Sequence, residues 1–318
     1  MHIVLVSSGP IPCFGYGGRE RIVQWHASEL AERGHRVTVI ADKTGTLPGV
    51  ELIRIDGAAQ LREAIPDSAD IVNFHGMTYP RHADDLPKPF LNTPHNLYDN
   101  LDISNANWNF LSDFHAQYQG GKTVVRNGLP PEDYRVSENN NGRLLFFSGF
   151  SRPGKNITRA IDLTKRFDLK LDIAGGHRWS LLTRSVVRKE GAFFRTLGPR
   201  FQFHGIIGGE RKARMFADAR ALIFPIRVPE PGATVVVEAL MSGTPVLGTP
   251  LAVVPELVKD GDGFLFETDQ QFAEALESID GLDRHAIRER AIARFSVQQM
   301  TDGYLDLYQR ILDGERIG

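Results

Sequence analysis

Short apolar runs alternate with helical patterns along the chain, and this alternation is the feature that most restricts the fold. Residues 2–6 predict a buried strand, residues 20–33 an amphipathic helix that stops at Gly34, and residues 36–41 a second strand. Further strands are predicted at 52–55, 71–74, 90–93 and 123–125. Strands that alternate with helices are typical of βα units, so the sequence predicts an α/β fold with parallel sheets.

A polar stretch at residues 130–142 interrupts this alternation. Its tandem proline and its run of asparagines are typical of a turn or linker. The pattern then restarts, with strands predicted at 144–148, 171–174, 201–204, 221–224 and 245–248 and helices at 157–166, 212–219 and 234–241. A length of 318 residues suits two domains at about 150 residues each. We expect two doubly wound domains, residues 1–128 and 129–296, with ligands bound beyond the carboxyl ends of the strands.

The composition argues against several classes of protein. The formal net charge of −2 does not indicate a nucleic-acid partner, and the hydrophobic fraction of 42% argues against disorder. The single cysteine, Cys13, cannot form an internal disulfide, as is usual in a reducing compartment. The first residues lack the basic region of a signal peptide, and no apolar run reaches the ~18 residues of a membrane span. We expect a soluble, cytoplasmic protein.

One segment, residues 178–189, mixes basic and apolar side chains. Segments of this composition can lie on an anionic membrane. An ordinary helix with a solvated basic face explains the same pattern better. Peripheral membrane contact is therefore allowed by the sequence but not favoured.

The strongest chemical motif spans residues 224–240, where a strand, a Pro/Gly loop and a helix beginning at Thr234 follow one another. The first amides of a helix lack intrahelical partners and lie at the positive end of its dipole, so they can bind a diphosphate. Gly232 allows a close approach of the ligand, and Glu238 can reach back toward it. Glu230 precedes the loop, and two carboxylates here suit sugar hydroxyls. The alternative is that Glu230 is an ordinary loop residue and that Glu238 only interacts with the helix dipole. From the spacing alone, the two interpretations are about equally good.

A second strand, glycine loop and helix occur at residues 146–166, with Arg152 and Lys155 in the loop. The charge of Lys155 could neutralise a diphosphate leaving group. Taken alone, the motif fits an ordinary surface lysine better.

Other candidates in the sequence are weaker. The glycines after the first strand, in residues 15–20, do not form a complete dinucleotide fingerprint. His75 and His95 each follow a predicted strand and could bind a substrate, although a lone histidine is more often structural. No His/Cys spacing indicates zinc, and Asp260-Gly261-Asp262 is interpreted as a turn.

Several short motifs occur together in a fixed order. They are Gly17-Gly18-Arg19-Glu20, residues 33–39, Asn127-Gly128, the pair Glu230 and Glu238, residues 242–246, residues 254–258 and the closing segment 295–308. Together they resemble the retaining GT-B glycosyltransferases of family 4, the glycosyl transferases group 1, over nearly the whole chain. The resemblance implies two Rossmann-like domains that face each other across a cleft. It also implies an acceptor-side N-terminal domain, a donor-binding C-terminal domain and a C-terminal helix, 297–318, that packs back on the first domain.

The resemblance also implies roles for individual residues. Glu238 would bind the donor ribose, Glu230 the hydroxyls of the donor sugar, and Lys155 the diphosphate. His95 would lie near the transferring sugar, which makes His95, Lys155 and Glu230 the candidate catalytic residues. The implied donor-binding residues are Gly17, Gly18, Arg152, Lys155, Glu230, Gly232, Ala233, Thr234, Val235 and Glu238.

No metal and no cofactor are expected. The donor would be a UDP-, GDP- or ADP-sugar, and the acceptor an unidentified sugar, small molecule or lipid-linked compound. No carboxylate pair clearly fits a double displacement, so front-face attack by the acceptor hydroxyl is expected. The acceptor proton would pass to the leaving phosphate.

Three departures from the family pattern leave alternatives open. Phe150 stands where the family usually has an arginine, Ala252-Val253 replaces a glycine pair, and the glycine of the diphosphate loop is shifted to Gly232. A nucleotide-sugar epimerase on the same fold is one alternative, and it would turn over donor without an acceptor. A nucleotide-sugar-binding protein without transferase activity is the other, and it would bind donor without transfer.

Overall fold

The computed structural model describes residues 1–13, 17–76, 86, 88–104, 106–149, 153–183 and 191–318. These residues form two compact units. The first unit comprises residues 1–13, 17–130 and 295–318, and the second comprises residues 131–294. The first unit is therefore built from both ends of the described chain.

The first unit contains a parallel sheet of six described strands, in the order β3-β2-β1-β4-β5-β6. The strands are β1 His2–Ile11, β2 Arg36–Thr44, β3 Val50–Arg54, β4 Ile71–His75, β5 Phe90–Thr93 and β6 Asn107–Trp108, and the helices are α1 Gly18–Glu32, α2 Leu61–Ala64 and α3 Asp113–Gln119. In β1, Ile3 pairs with Val37 on one side and with Ile71 on the other. The successive side chains of Ile3, Val4, Leu5 and Val6 point to opposite faces of the sheet and are all buried, so both faces are covered along β1.

The second unit repeats this plan, with six described strands in the order β12-β11-β10-β7-β8-β9. The strands are β7 Leu144–Phe147, β8 Leu171–Ala174, β9 Phe201–Gly205, β10 Ala221–Phe224, β11 Val246–Gly248 and β12 Gly263–Leu265. The helices are α4 Ile157–Arg166, α5 Ser180–Thr183, α6 Ala192–Arg195, α7 Gly209–Asp218, α8 Thr234–Met241, α9 Val254–Leu257, α10 Asp269–Ser278 and α11 Arg284–Phe295. The predicted α/β class with two doubly wound sheets is confirmed.

The last helix, α12 (Val297–Leu312), packs on the first sheet. Its side chains Tyr304 and Tyr308 are fully buried. The Tyr308 hydroxyl accepts from Asn73 Nδ2 of β4 at 2.8 Å, and the Tyr304 hydroxyl accepts from Asn109 Nδ2 at 3.2 Å. The helix is thus held to the sheet by apolar area and by buried hydrogen bonds. Among the described residues, no helix is both long and apolar enough to cross a membrane.

Two local predictions differ from the structure. The strand predicted at 123–125 is reduced to one bridge between Phe110 and Val124. The Val125 N–H donates to Phe110 O at 3.1 Å and also to the Asn109 side chain at 2.6 Å, so a side chain shares the backbone donor of this bridge. In addition, β1 continues to Ile11, although residues 7–10 have the composition of a turn. It does so with a register shift against β2 between Ser7 and Pro10.

Candidate active site

The strand order of the second sheet reverses at β7: β8 and β9 follow on one side of β7, and β10, β11 and β12 on the other. In open α/β sheets, ligands bind at the carboxyl ends of the strands where this reversal occurs. Two loops meet at that point, since Arg227 N–H donates to Gly154 O at 2.9 Å. A Cβ on Gly154 would lie 2.7 Å from Val228 Cβ, so a glycine is required for this contact. The two motifs predicted from distant parts of the sequence are therefore joined directly.

Lys155 and Glu230 form an ion pair across these loops, with Nζ and Oε2 2.8 Å apart. The Lys155 ammonium also lies 5.0 Å from the ring centre of Phe224, the last residue of β10. The Lys155 side chain is 9% exposed and the Glu230 side chain 19%. Lys155 is therefore not the ordinary, solvent-exposed surface lysine that the motif alone would suggest. The arrangement holds one cation and one carboxylate in place at the end of the sheet.

Helix α8 begins beside this pair. Its N-cap residue, Ala233, has φ 31° and ψ 54°, in the left-handed region, and its methyl side chain cannot cap the helix. An L-residue in this conformation costs roughly 1–2 kcal/mol. Because the loop glycine stands one place earlier than in the family pattern, at Gly232, the left-handed position is occupied by Ala233. The amide groups of the first turn and the helix dipole favour an anion here, and the assignment of Thr234 and Val235 to donor binding stays a prediction.

Glu238 lies one turn further along α8 and is 1% exposed. Its Oε1 accepts from the Tyr134 hydroxyl at 2.9 Å and is contacted by Lys212 Nζ. Neither Tyr134 nor Lys212 was identified from the sequence. The available signal was the position of Lys212 on the face of α7 that also buries Ala213 and Phe216, where an apolar residue is usual.

The strand order of the first sheet also reverses, at β1, which lies between β2 and β4. Gly17 is the N-cap of α1, and a Cβ there would lie 2.7 Å from Cys13 Sγ and 2.8 Å from Glu20 Oε2. At Gly18 a Cβ would meet nothing within 4 Å, so packing does not require this glycine. Arg19 donates to Ser8 O at 2.7 Å and to Glu20 Oε1 at 2.9 Å. The Gly-Gly-x-Glu motif therefore builds an ordered, charged edge.

His95 meets His75 at this edge of the first sheet, with His75 Nδ1 and His95 Nε2 3.1 Å apart. Burial, and then the nearby Arg19 charge, lower the pKa of His75 to about 3. Burial, followed by His75 and Arg19, also holds the pKa of His95 well below its usual range. Both rings are therefore neutral at neutral pH, with one N–H donating to the other ring. His95 can contribute a hydrogen bond to a substrate, but not a full positive charge.

Some predicted features lie outside the described residues. These are Arg152, Phe150 and residues 184–189 of the basic segment. Within the described part of that segment, Arg178 donates to Phe201 O at 3.0 Å and lies 4.8 Å from the Phe203 ring centre. Trp179 is 70% exposed.

No cluster of three or more metal-ligating side chains occurs within the described ranges. Asp262 of the Asp-Gly-Asp sequence is 1% exposed and accepts from Arg290 Nε at 2.8 Å and from Arg294 Nη1 at 3.0 Å. These contacts give Asp262 a structural role in the turn. The expectation of a metal-independent protein stays a prediction.

Comparisons with known proteins indicate the family and the fold. The family model described as Glycosyl transferases group 1 matches residues 132–294, just over half of the chain. No curated protein sequence matches this chain.

Solved structures match the whole chain. One is AviGT4, a glycosyltransferase involved in avilamycin A biosynthesis, with 24% identity, a TM-score of 0.83 and coverage of 100% of this chain and 99% of that one. Sucrose-phosphate synthase from Thermosynechococcus elongatus has 17% identity, a TM-score of 0.82 and coverage of 99% and 100%. Anabaena HepE in complex with UDP-glucose has 18% identity, a TM-score of 0.75 and coverage of 97% and 99%.

The fold and the family match define the class of protein as a GT-B glycosyltransferase. The chain belongs to the glycosyl transferases group 1 family.

Proposed function

We propose that this chain is a retaining glycosyltransferase of family 4 that uses a nucleotide-diphosphate sugar without a metal ion. The observation that carries the proposal is the Lys155–Glu230 ion pair at the carboxyl ends of β7 and β10, beside the start of α8. It supplies a cation for the diphosphate and a carboxylate for sugar hydroxyls. The HepE complex with UDP-glucose makes UDP-sugars the first donors to test, followed by GDP- and ADP-sugars.

In the proposed reaction, the acceptor hydroxyl oxygen forms a bond to the anomeric carbon on the face from which the diphosphate departs. The bond from the anomeric carbon to the diphosphate oxygen breaks, and the acceptor proton passes to that leaving oxygen. Lys155 and the first amides of α8 stabilise the negative charge that develops on the leaving group. Neutral His95 is proposed to hold a hydroxyl of the transferring sugar.

Glu238 provides the first test. Glu238→Gln keeps the shape of the side chain but removes its charge, and hydrogen bonds to charged groups contribute about 1.5–3 kcal/mol. We therefore expect nucleoside-diphosphate affinity to fall about 10- to 100-fold, measured by calorimetry. The exposed Glu210→Gln on α7 is the matched control and should bind as the wild type does. Unchanged affinity in Glu238→Gln would remove the ribose assignment.

Metal independence provides the second test. Because the Lys155 ammonium and the α8 amides are proposed to stabilise the leaving group, transfer should proceed at an unchanged rate after dialysis against EDTA. Loss of activity that Mn²⁺ or Mg²⁺ restores would contradict the proposal. Asp260→Asn, at an exposed position, would then show whether the Asp-Gly-Asp turn contributes a ligand.

A further inference from the structure

Lys212 occupies a position in the second unit where an apolar side chain would be expected. It lies in the first turn of α7, on the face that buries Ala213, Phe216 and Ala217, and its side chain is 8% exposed. Its ammonium is 5.2 Å from the ring centre of Phe147 and 5.8 Å from that of Phe216. Placing an ammonium here is unfavourable unless a partner compensates for the lost hydration.

The compensating partner is Glu238. Lys212 Nζ contacts Glu238 Oε1, and the Tyr134 hydroxyl donates to the same oxygen at 2.9 Å. Tyr134 is itself 6% exposed, so the three polar groups form a cluster away from solvent. Two donors that converge on one carboxylate oxygen fix the orientation of the carboxylate, and the adjacent ammonium favours its ionised form.

We propose that Lys212 is a positioning residue that keeps Glu238 an ionised, oriented acceptor, and that it thereby makes the site selective for ribonucleoside diphosphates over their 2′-deoxy counterparts. An ionised carboxylate only accepts hydrogen bonds, so it suits a ribose hydroxyl. A site built to bond a hydroxyl discriminates against the ligand that lacks it, because its own buried group is left unpaired. This inference rests on the proposed nucleotide-sugar site.

The test is calorimetric titration of the full chain with UDP, GDP and ADP, each paired with its 2′-deoxy form. The wild type should prefer the ribo form of its nucleotide by about 10- to 100-fold, the range expected for a bond to a charged acceptor. In Lys212→Met, whose apolar side chain suits the Phe147 and Phe216 rings, the preference should fall to within about threefold of unity. Arg214→Met, at an exposed position on the same helix, should keep the wild-type preference.

Two further variants guard against a loss of folding. Tyr134→Phe removes the second donor to Glu238 Oε1 and should lower the preference without removing a charge. Lys212→Met combined with Glu238→Gln has no buried unpaired charge and should bind as Glu238→Gln alone does.

The outcomes separate this inference from the proposed function. Equal losses of ribo and deoxyribo affinity in Lys212→Met, with the preference retained, would overturn the positioning role and leave the nucleotide site intact. An additive effect of Lys212→Met in the Glu238→Gln background would also overturn it. A wild type that binds none of the three nucleotides would overturn the proposed function and this inference together.

Discussion

Lys155→Ala is expected to lower kcat for sugar transfer about 10²–10³-fold, with a smaller change in donor affinity. The leaving diphosphate gains negative charge as the glycosidic bond breaks, so a cation beside it stabilises the transition state more than the bound donor. Removing one preorganised electrostatic partner of this kind typically costs about 10²–10³ in kcat. The Lys155 ammonium is held at 2.8 Å from Glu230 and over the Phe224 ring, and is therefore already in position before the reaction.

Steady-state kinetics with saturating donor and acceptor measure this effect. Lys165→Ala, at an exposed position near the end of α4, is the matched control and should leave kcat unchanged. A rise in KM with an unchanged kcat would mean that Lys155 stabilises the bound donor and the transition state equally. The leaving-group role would then be wrong.

The stability of the first unit is expected to fall steeply as the pH drops from 7.5 to 5.5. Burial lowers the pKa of His75 to about 3 and that of His115 to about 4. Burial, aided by neighbouring charges, also holds the pKa values of His26 and His95 well below the usual 6.5. Below pH 6.5 the unfolded chain binds protons that the folded chain does not, so protonation favours unfolding. At pH 5.5, one unit below the usual pKa of 6.5, each such histidine lowers the free energy of unfolding by about 1.4 kcal/mol.

Urea unfolding at pH 7.5, 6.5 and 5.5, followed by tryptophan fluorescence, measures this dependence. His26→Phe keeps an aromatic ring next to Tyr304, whose ring centre is 4.5 Å from that of His26 in the wild type. In this variant, the number of protons taken up on unfolding at low pH should be smaller by about one. The exposed His285→Gln is the control and should leave the dependence unchanged. Equal stability at pH 7.5 and 5.5 would show that these histidines are not held neutral by the fold.

Local patterns were sufficient to predict most of the fold. The apolar runs at 90–93, 171–174 and 221–224 became β5, β8 and β10 with the predicted bounds, because a buried parallel strand is a continuous apolar segment. The two-residue strand β6 was missed because Asn107 and Trp108 carry no periodic signal. Its position is set by pairing with β5, which no local pattern encodes.

The candidate site was predicted only in part, for a similar reason. Glycine loops that follow strands pointed to Lys155, Glu230 and Glu238, since these loops lie at strand ends. The pairing of Lys155 with Glu230, and of Glu238 with Lys212 and Tyr134, joins residues from different loops and helices. Such contacts depend on the order of strands in the sheet. The sequence likewise predicts His75 and His95 only as two separate candidates, and their contact follows from the pairing of β4 with β5.

The placement of α12 has a consequence for synthesis on the ribosome. Among the described residues the second unit is the single segment 131–294, whereas the first unit needs residues 295–318 to cover the Asn73 and His26 side chains. Domains form as their segments emerge, from the N-terminus onward. The unit that begins to be made first is therefore the last to be completed, and until Tyr304 and Tyr308 arrive the nascent chain exposes an uncovered strip of its first sheet.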